Sequence, residues 1–381
     1  MERPKINEFI RKNRGLSRKE LATRCGISVS AVAHREHALG LGREWVYPTK
    51  EKQDHLSSEA LYTFLKKTRR VVSVEDLSNH FDCPVREIRK TIDLLLKEGK
   101  NIVVDGGSVE LAQGIPQAKP TVIDVSKFKA KHFKFGLTSD NHLGSKYERL
   151  DVLNALFDIW KGQGVGTVYQ CGNMIDGEAR FNKFDVFVHG IQAQVDYFVD
   201  KWPAREGIVT HFITGDDHEG WYVQREGINI GKLIEMTAQE RGRKDLRFLG
   251  HMEHDITLQA KDGCATMRLI HAGGGSAYAT SYAPQKIVES YQGGEKPNIL
   301  LVGHYHKAEY GYPREVHVIQ AGCTEDQTPF MRKLKIQAHV GGWTIEFDQD
   351  DLGIIHHFRV EWHPFYDKGY YDKAWKYWWN K

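Results

Sequence analysis

Five short polar segments between residues 140 and 306 each follow an apolar run that is typical of a β-strand. The segments are SDNH, GNMID, GDDH, IH and GHYH, and they supply Asp140, His142, Asn173, Asp176, Asp217, His218, His271, His304 and His306. Side chains that follow neighbouring strands collect along one edge of a sheet. Carboxylate and imidazole groups gathered in this way can hold a pair of divalent ions. The spacing therefore predicts a metal site.

The elements that must position these side chains alternate between strands and helices from residue 132 onward, which predicts an α/β fold. The expected helices of this half are 151–161, 184–201, 228–241 and 284–291. The first hundred residues are predicted to be mainly helical. A polar segment with two prolines separates the halves and reads as a linker. The predicted domains are 1–50, a helix-turn-helix; 51–112, a winged-helix-like domain; 113–131, a linker; and 132–381, a metal-binding domain with an aromatic tail.

Composition excludes several classes of protein. The chain has 381 residues and a formal net charge of +3, so whole-chain charge alone does not indicate a nucleic-acid partner. Its five cysteines are scattered without a CxxC pair, which is typical of a reduced intracellular protein. We find no apolar stretch long enough for a membrane span and no signal peptide, so we expect a cytoplasmic protein without a membrane partner.

Residues 18–37 resemble the helix-turn-helix of phage repressors. Gly26 stands where the turn needs an unhindered backbone, and Ser28 is positioned to cap the second helix. That helix would present His34 and Arg35 to a DNA groove.

Residues 57–111 resemble a winged helix, with three helices followed by a tight hairpin. Arg86, Arg89 and Lys90 lie on the expected recognition helix and are predicted to contact DNA. Winged helices also mediate protein contacts, so a protein partner is an open alternative.

The five polar segments resemble, in order, the motifs of the calcineurin-like metallophosphoesterase superfamily: D-x-H, G-[DN]-x-x-D, G-[ND]-[ND]-H, H and G-H-x-H. The resemblance covers about residues 132–350. It implies an α+β four-layer sandwich, in which two sheets are flanked by helices and two divalent ions lie at the strand ends.

The resemblance also implies roles for individual residues. Carried over by position, the first ion would be held by Asp140, His142 and His306, and the second by Asp217, His271 and His304. Asn173 occupies the bridging position, and Asp176 would orient a catalytic His218. Mixed carboxylate and imidazole ligands suit manganese, with iron or zinc as alternatives.

The chain departs from the family pattern at two linked positions. Asn173 stands where the family has its bridging Asp, and Asp217 stands where the family has Asn. The number of carboxylates is unchanged, but a neutral amide bridges two ions poorly. Our hypothesis is that Asp217 or a water bridges the ions, while Asn173 binds one ion or none.

The family chemistry is hydrolysis of phosphate esters by metal-bound hydroxide. The N-terminal units favour a DNA nuclease, functionally similar to SbcD-type exonucleases, although the domain order differs. The chain also resembles phosphoesterases encoded by phages, and a homodimer is open. Two alternatives remain: a small-molecule or nucleotide phosphodiesterase, and a DNA-binding regulatory protein with an inactive phosphoesterase domain.

Overall fold

The structure is a computed structural model that describes residues 3–13, 15–41, 56–68, 70–111, 119–124, 132–275 and 277–366. The chain divides into two compact units, of which one comprises residues 1–55 with 82–84 and the other comprises 56–81 and 85–381. No helix in the described ranges is long and apolar enough to cross a membrane.

The described part of the smaller unit contains three helices: α1, Arg3–Lys12; α2, Arg18–Cys25; and α3, Val29–Ala38. Their apolar faces pack together around Ile10, Leu21 and Val32. Gly26 ends α2 with a left-handed φ of 66°, a conformation that glycine adopts without steric cost. The Ser28 side chain accepts a hydrogen bond from the amide of Ala31, so the predicted cap of the next helix is confirmed.

Residues 56–111 form three helices and a small sheet: α4, Ser58–Thr68; β1, Val72–Ser73; α5, Val74–Phe81; α6, Val85–Lys97; β2, Ile102–Asp105; and β3, Ser108–Leu111. β3 lies between β1 and β2, and both of its pairings are antiparallel. The three helices and the hairpin of β2 and β3 occur in the order that the sequence predicts, and β1 adds a third strand to the hairpin.

The remaining elements of the larger unit form two six-stranded sheets with helices. The first sheet has the order β15-β14-β5-β6-β7-β8, with β5 His132–Thr138, β6 Thr167–Cys171, β7 Val209–Thr214, β8 Leu246–His251, β14 Gly341–Gln349 and β15 Ile355–Pro364. The second has the order β12-β13-β11-β10-β9-β4, with β4 Thr121–Asp124, β9 Glu253–Gln259, β10 Cys264–His271, β11 Ile299–Gly303, β12 Ala308–Gly311 and β13 His317–Ala321. The helices are α7 Leu150–Gly162, α8 Ile191–Lys201, α9 Gly220–Glu226, α10 Ile230–Glu240, α11 Tyr282–Ser290 and α12 Pro329–Leu334.

The two sheets pack face to face over a shared apolar core that includes Leu137, Leu269 and Phe347. A second core joins the first sheet to helices α7, α8 and α10, and includes Trp160 and Phe212. A third core lies between α11 and the second sheet. The order of layers is therefore helices, sheet, sheet, helix, which confirms the predicted four-layer α/β sandwich.

Three predictions about the elements need correction or comment. Helix α8 begins at Ile191, because residues 184–190 form a loop, so the predicted helix 184–201 was seven residues too long. Thr121–Asp124, inside the predicted linker, forms an edge strand parallel to β9. The rest of that linker and the aromatic tail from residue 367 lie outside the described residues.

The part of this region that belongs to the larger unit, 56–81 and 85–111, is bonded directly to the loop after α9. The amide of Asn101 donates to the carbonyl of Gly227 at 2.8 Å, and the amide of Asn229 donates to the carbonyl of Gly99 at 2.7 Å. The Tyr62 hydroxyl donates to the carbonyl of Glu226 at 3.1 Å. The winged-helix-like region is thus tied to the end of α9.

Candidate metal centre and active site

The five polar segments meet at one edge of the sandwich. β5, β6 and β7 run parallel in the first sheet, and β10 and β11 run parallel in the second, so their carboxyl ends coincide. The turn after β5 is tied to the turn after β6, because the amide of Asp140 donates to the carbonyl of Gly172 at 3.0 Å. Adjacent strand ends therefore bring the predicted side chains together.

The backbone at this edge is held in an uncommon conformation. Six of the predicted residues have left-handed φ values of 46° to 86°, namely Asp140, His142, Asn173, His218, His304 and His306. Each such conformation costs on the order of 1–3 kcal/mol for a residue other than glycine, and it persists where surrounding contacts enforce it. The described chain thus concentrates backbone strain in the segments that carry the polar motifs.

The first cluster consists of Asp140, His142 and His306, and all three side chains are buried. Oδ2 of Asp140 accepts from the Ser139 hydroxyl at 2.6 Å and from the amide of His304 at 2.9 Å. Its Oδ1 faces Nε2 of His306 at 3.4 Å. Nε2 of His306 in turn lies 3.3 Å from Nε2 of His142. One carboxylate oxygen and two ring nitrogens therefore converge.

Asp176 orients two imidazoles next to this cluster. Its Oδ1 lies 3.0 Å from Nδ1 of His142 and 3.2 Å from Nδ1 of His218. Nδ1 of His218 also donates to the Asp176 carbonyl at 2.8 Å. Burial lowers the pKa of His142 to about 4, with a contribution from the nearby His218, so this ring is neutral at physiological pH. Burial opposes protonation of His218, but hydrogen bonding to Asp176 raises its pKa to about 10.

The second cluster consists of Asp217, His271 and His304. Nδ1 of His271 donates to the carbonyl of Cys171 at 2.7 Å, and Nε2 of the same ring lies 3.1 Å from Oδ1 of Asp217. Nε2 of His304 donates to the carbonyl of Gly274 at 2.8 Å, and its Nδ1 lies 3.3 Å from Oδ2 of Asp217. Each imidazole therefore uses its far nitrogen as a donor and points the near one at the same carboxylate.

Asn173 lies between the two clusters. Its Nδ2 donates to Oδ1 of Asp140 at 3.3 Å. Its Oδ1 is buried and has no hydrogen-bond partner among the described residues. A Cβ added at Gly215 would lie 2.8 Å from that oxygen and 2.6 Å from Cδ2 of His271, so the amide oxygen approaches the second cluster.

The donor atoms of both clusters fit divalent ions. Three imidazoles each donate a hydrogen bond from one ring nitrogen, which leaves a lone pair on the other nitrogen of the neutral ring. The donating atoms are Nδ1 of His142, Nδ1 of His271 and Nε2 of His304. A lone pair that faces a carboxylate oxygen is repelled unless a proton or a cation lies between them. Burial opposes charging of His271, but Asp217 raises the pKa of the ring to about 9, which shows how strongly positive charge is favoured there. Ions held by one carboxylate and two imidazoles in each cluster would satisfy these atoms.

A cavity of about 370 Å³ opens over both clusters. Its floor is polar and contains His142, Asn173, Asp217, His218, His304 and His306. One wall is apolar and contains Phe181, Trp221, Phe330, Met331, Leu334 and Ile336. The ring of Trp221 packs on His218 with centroids 4.8 Å apart.

Two buried glutamates at this edge, Glu219 and Glu325, belong to the site but were not predicted from the sequence. Oε1 of Glu219 accepts from the amides of Asn173 and Gly215 at 2.8 and 2.9 Å, so it joins two motif turns. Glu325 follows β13, and its Oε2 lies 3.8 Å from Nε2 of His142. Burial raises the pKa of Glu219 to about 8 and that of Glu325 well above its usual value. No spacing signal in the sequence assigns either glutamate to the site.

The residues that were predicted to contact DNA are not among those that form the clusters or line the cavity. His34 is exposed on α3, whereas Arg35 is half-buried and donates to Oδ1 of Asn7 at 3.0 Å. Arg86, Arg89 and Lys90 are exposed on α6. Nζ of Lys90 lies 3.0 Å from the Glu87 carboxylate, which offsets part of the positive charge of this helix.

Comparison with known proteins gives structural but not sequence likeness. No protein-family model matches the chain, and no curated protein matches it. Solved structures that resemble it include an archaeal phosphodiesterase, with 14% identity over 61% of this chain and 100% of that one at a TM-score of 0.32. A predicted phosphoesterase from Streptococcus pneumoniae TIGR4 matches with 14% identity over 61% and 90% of the two chains at a TM-score of 0.31. A putative 5'-nucleotidase from Staphylococcus aureus matches with 12% identity over 62% of this chain and 55% of that one, at a TM-score of 0.32. Likeness at this distance assigns no activity to the chain.

Proposed function

We propose that this protein is a metal-dependent phosphodiesterase of the calcineurin-like type and that its substrate is DNA. The observation that carries the proposal is the convergence of two carboxylate–imidazole clusters on either side of Asn173. The lone-pair geometry of the imidazoles supports two ions in one site. Near-complete ligand sets also weigh against the inactive regulatory alternative.

The chain's own residues suit hydrolysis of a phosphodiester. Divalent ions bound at the clusters would supply positive charge to the phosphoryl oxygens and would favour ionisation of an attacking water. His218 lines the cavity, and its Nδ1 is held by Asp176, so Nε2 is the atom left for substrate. We assign to Nε2 of His218 the donation of a proton to the leaving oxygen.

Two features support DNA as the substrate. α6 exposes Arg86 and Arg89, and exposed arginines bind phosphate groups through charge and forked hydrogen bonds. The region that carries α6 is bonded to the end of α9, and α9 begins two residues after His218. A strand bound along the winged-helix-like region could therefore be delivered toward the clusters.

A nucleotide-sized phosphodiester is the second candidate substrate. The observation that favours it is the cavity over the clusters, whose volume of about 370 Å³ lies in the range of small-molecule sites.

The deciding experiment uses metal-stripped protein to which Mn²⁺ is restored. End-labelled single- and double-stranded DNA and bis-(p-nitrophenyl) phosphate are offered in parallel, with Asp140→Ala and His218→Ala as controls. We expect DNA cleavage that both substitutions abolish. Cleavage of the small diester alone would reject DNA as the substrate and retain the chemistry. Cleavage of neither substrate would contradict the proposed activity.

A further inference from the structure

The apolar wall of the cavity contains aromatic rings that the chemistry of the clusters does not use. Phe181 is 55% exposed and Phe330 is 48% exposed, so both leave apolar surface open to water beside a polar floor. Their ring centroids lie 5.4 Å apart, and Phe181 also packs edge-to-face with Trp221 at a centroid distance of 5.2 Å. The rings come from three separate elements of the chain: the loop 172–190, α9 and α12. The fold therefore assembles one aromatic surface at the mouth of the cavity.

This surface is next to the position where the phosphoryl group would bind. The ring of His218 packs on Trp221, and the centroid of the His218 ring lies 6.4 Å from that of Phe181. A group joined to the phosphate by a single sugar would thus reach the aromatic wall. Among the described residues that line the cavity there is no lysine or arginine. A second phosphate on this side would find no cationic partner there, whereas a flat uncharged ring would cover the exposed faces.

We propose that Phe181 and Phe330 bind the nucleobase of the nucleotide whose phosphate lies at the clusters, an inference that rests on the proposed function. The wall would select nucleotides over polyphosphorylated sugars and phosphorylated peptides. Stacking on aromatic rings tolerates any base, because every base has a π-face. The site would therefore recognise a nucleotide without reading its sequence.

The test is to measure binding of three ligands to the Mn²⁺-loaded protein by titration calorimetry. Inorganic phosphate probes the clusters alone, deoxyribose 5-phosphate adds the sugar, and thymidine 5'-monophosphate adds the base. We expect the nucleotide to bind more tightly than the sugar phosphate by about fivefold to a hundredfold, which is the contribution of one stacked base. Phe181→Ala and Phe330→Ala should each remove most of that gain and leave phosphate binding unchanged.

Phe184→Ala is the matched control, because Phe184 lies on the same loop as Phe181, is 83% exposed and does not line the cavity. It should bind all three ligands as the parent protein does. Equal affinities for nucleotide and sugar phosphate would overturn this inference and leave the proposed function standing. An equal gain with hexyl phosphate would overturn it too, because the wall would then be apolar without being selective for a base. Failure of phosphate itself to bind would overturn both proposals.

Discussion

The two clusters use the same donor types but differ in exposure and in what holds their imidazoles. Asp140, His142 and His306 of the first cluster are all buried. In the second cluster, 29% of the Asp217 side chain and 21% of the His304 side chain is exposed. A carboxylate, Asp176, orients His142, whereas backbone carbonyls orient the second pair of rings. We therefore expect the first cluster to hold a bound ion more firmly and the second to exchange its ion more readily.

The strongest test of this difference is to remove one imidazole from each cluster. We expect His306→Ala and His304→Ala each to weaken binding of one Mn²⁺ ion by more than about a hundredfold, because loss of a direct ligand exceeds the tenfold to hundredfold cost of losing an outer partner. In the parent protein, graded chelation should remove the ion of the second cluster first. Calorimetry and metal analysis after dialysis give the stoichiometry.

His356→Ala is a suitable control for both variants, because His356 is an exposed imidazole that pairs with Asp350 outside the clusters. It should retain two ions. If the chelator removed both ions of the parent protein at the same concentration and the same rate, the contrast between a closed and an open cluster would be wrong.

Asp176 should affect the first cluster more than the second. Asp176→Asn replaces the carboxylate that accepts from Nδ1 of His142 and lies 3.2 Å from Nδ1 of His218. We expect a loss of tenfold to about a hundredfold in affinity for the first ion or in turnover. The second ion should bind as before, since Cys171 and Gly274 hold its imidazoles.

Asp158→Asn offers a matched exchange at an exposed carboxylate that pairs with Arg205 on the surface. This variant should bind both ions with the affinities of the parent protein. An equal weakening of both ions in Asp176→Asn would show that the carboxylate stabilises the whole edge and not one cluster.

Gly215 has no side chain, which leaves room for His271 and for the amide oxygen of Asn173 beside it. In Gly215→Ala the added Cβ would lie 2.6 Å from Cδ2 of His271 and 2.8 Å from Oδ1 of Asn173, so one or both side chains must shift. Such overpacking costs about 1–3 kcal/mol of the free energy of unfolding. Thermal unfolding of the metal-free protein measures it, and Gly273→Ala is the control because nothing lies within 4 Å of its Cβ. Equal stabilities of the two variants would contradict this packing.

How far the sequence predicts this edge depends on whether a residue's role is local. Each predicted ligand lies at the end of a strand or within four residues after it, so strand ends and residue types predicted one polar edge. The division of these residues into two clusters came from the resemblance to the metallophosphoesterases, and the structure brings the same two groups together. The bonds of Glu219 to two separate turns and the approach of Glu325 to His142 depend on long-range packing, which no spacing encodes. The meeting of Phe181 with Phe330 depends likewise on how α12 folds back over the loop after β6.

The smallest expected effect concerns the amide between the clusters. Asn173→Asp would put a carboxylate where Nδ2 now donates to Asp140, and its second oxygen would face Gly215 and His271. Because ligand charge raises affinity for a cation, we expect the second Mn²⁺ ion to bind about tenfold more tightly. Without metal the two carboxylates would repel each other, so the apo variant should unfold at a lower temperature than its parent and the loaded variant at a higher one. Unchanged stoichiometry and affinity would show that the charge of residue 173 does not limit the site, and would contradict the hypothesis that Asn173 binds one ion or none while Asp217 or a water bridges.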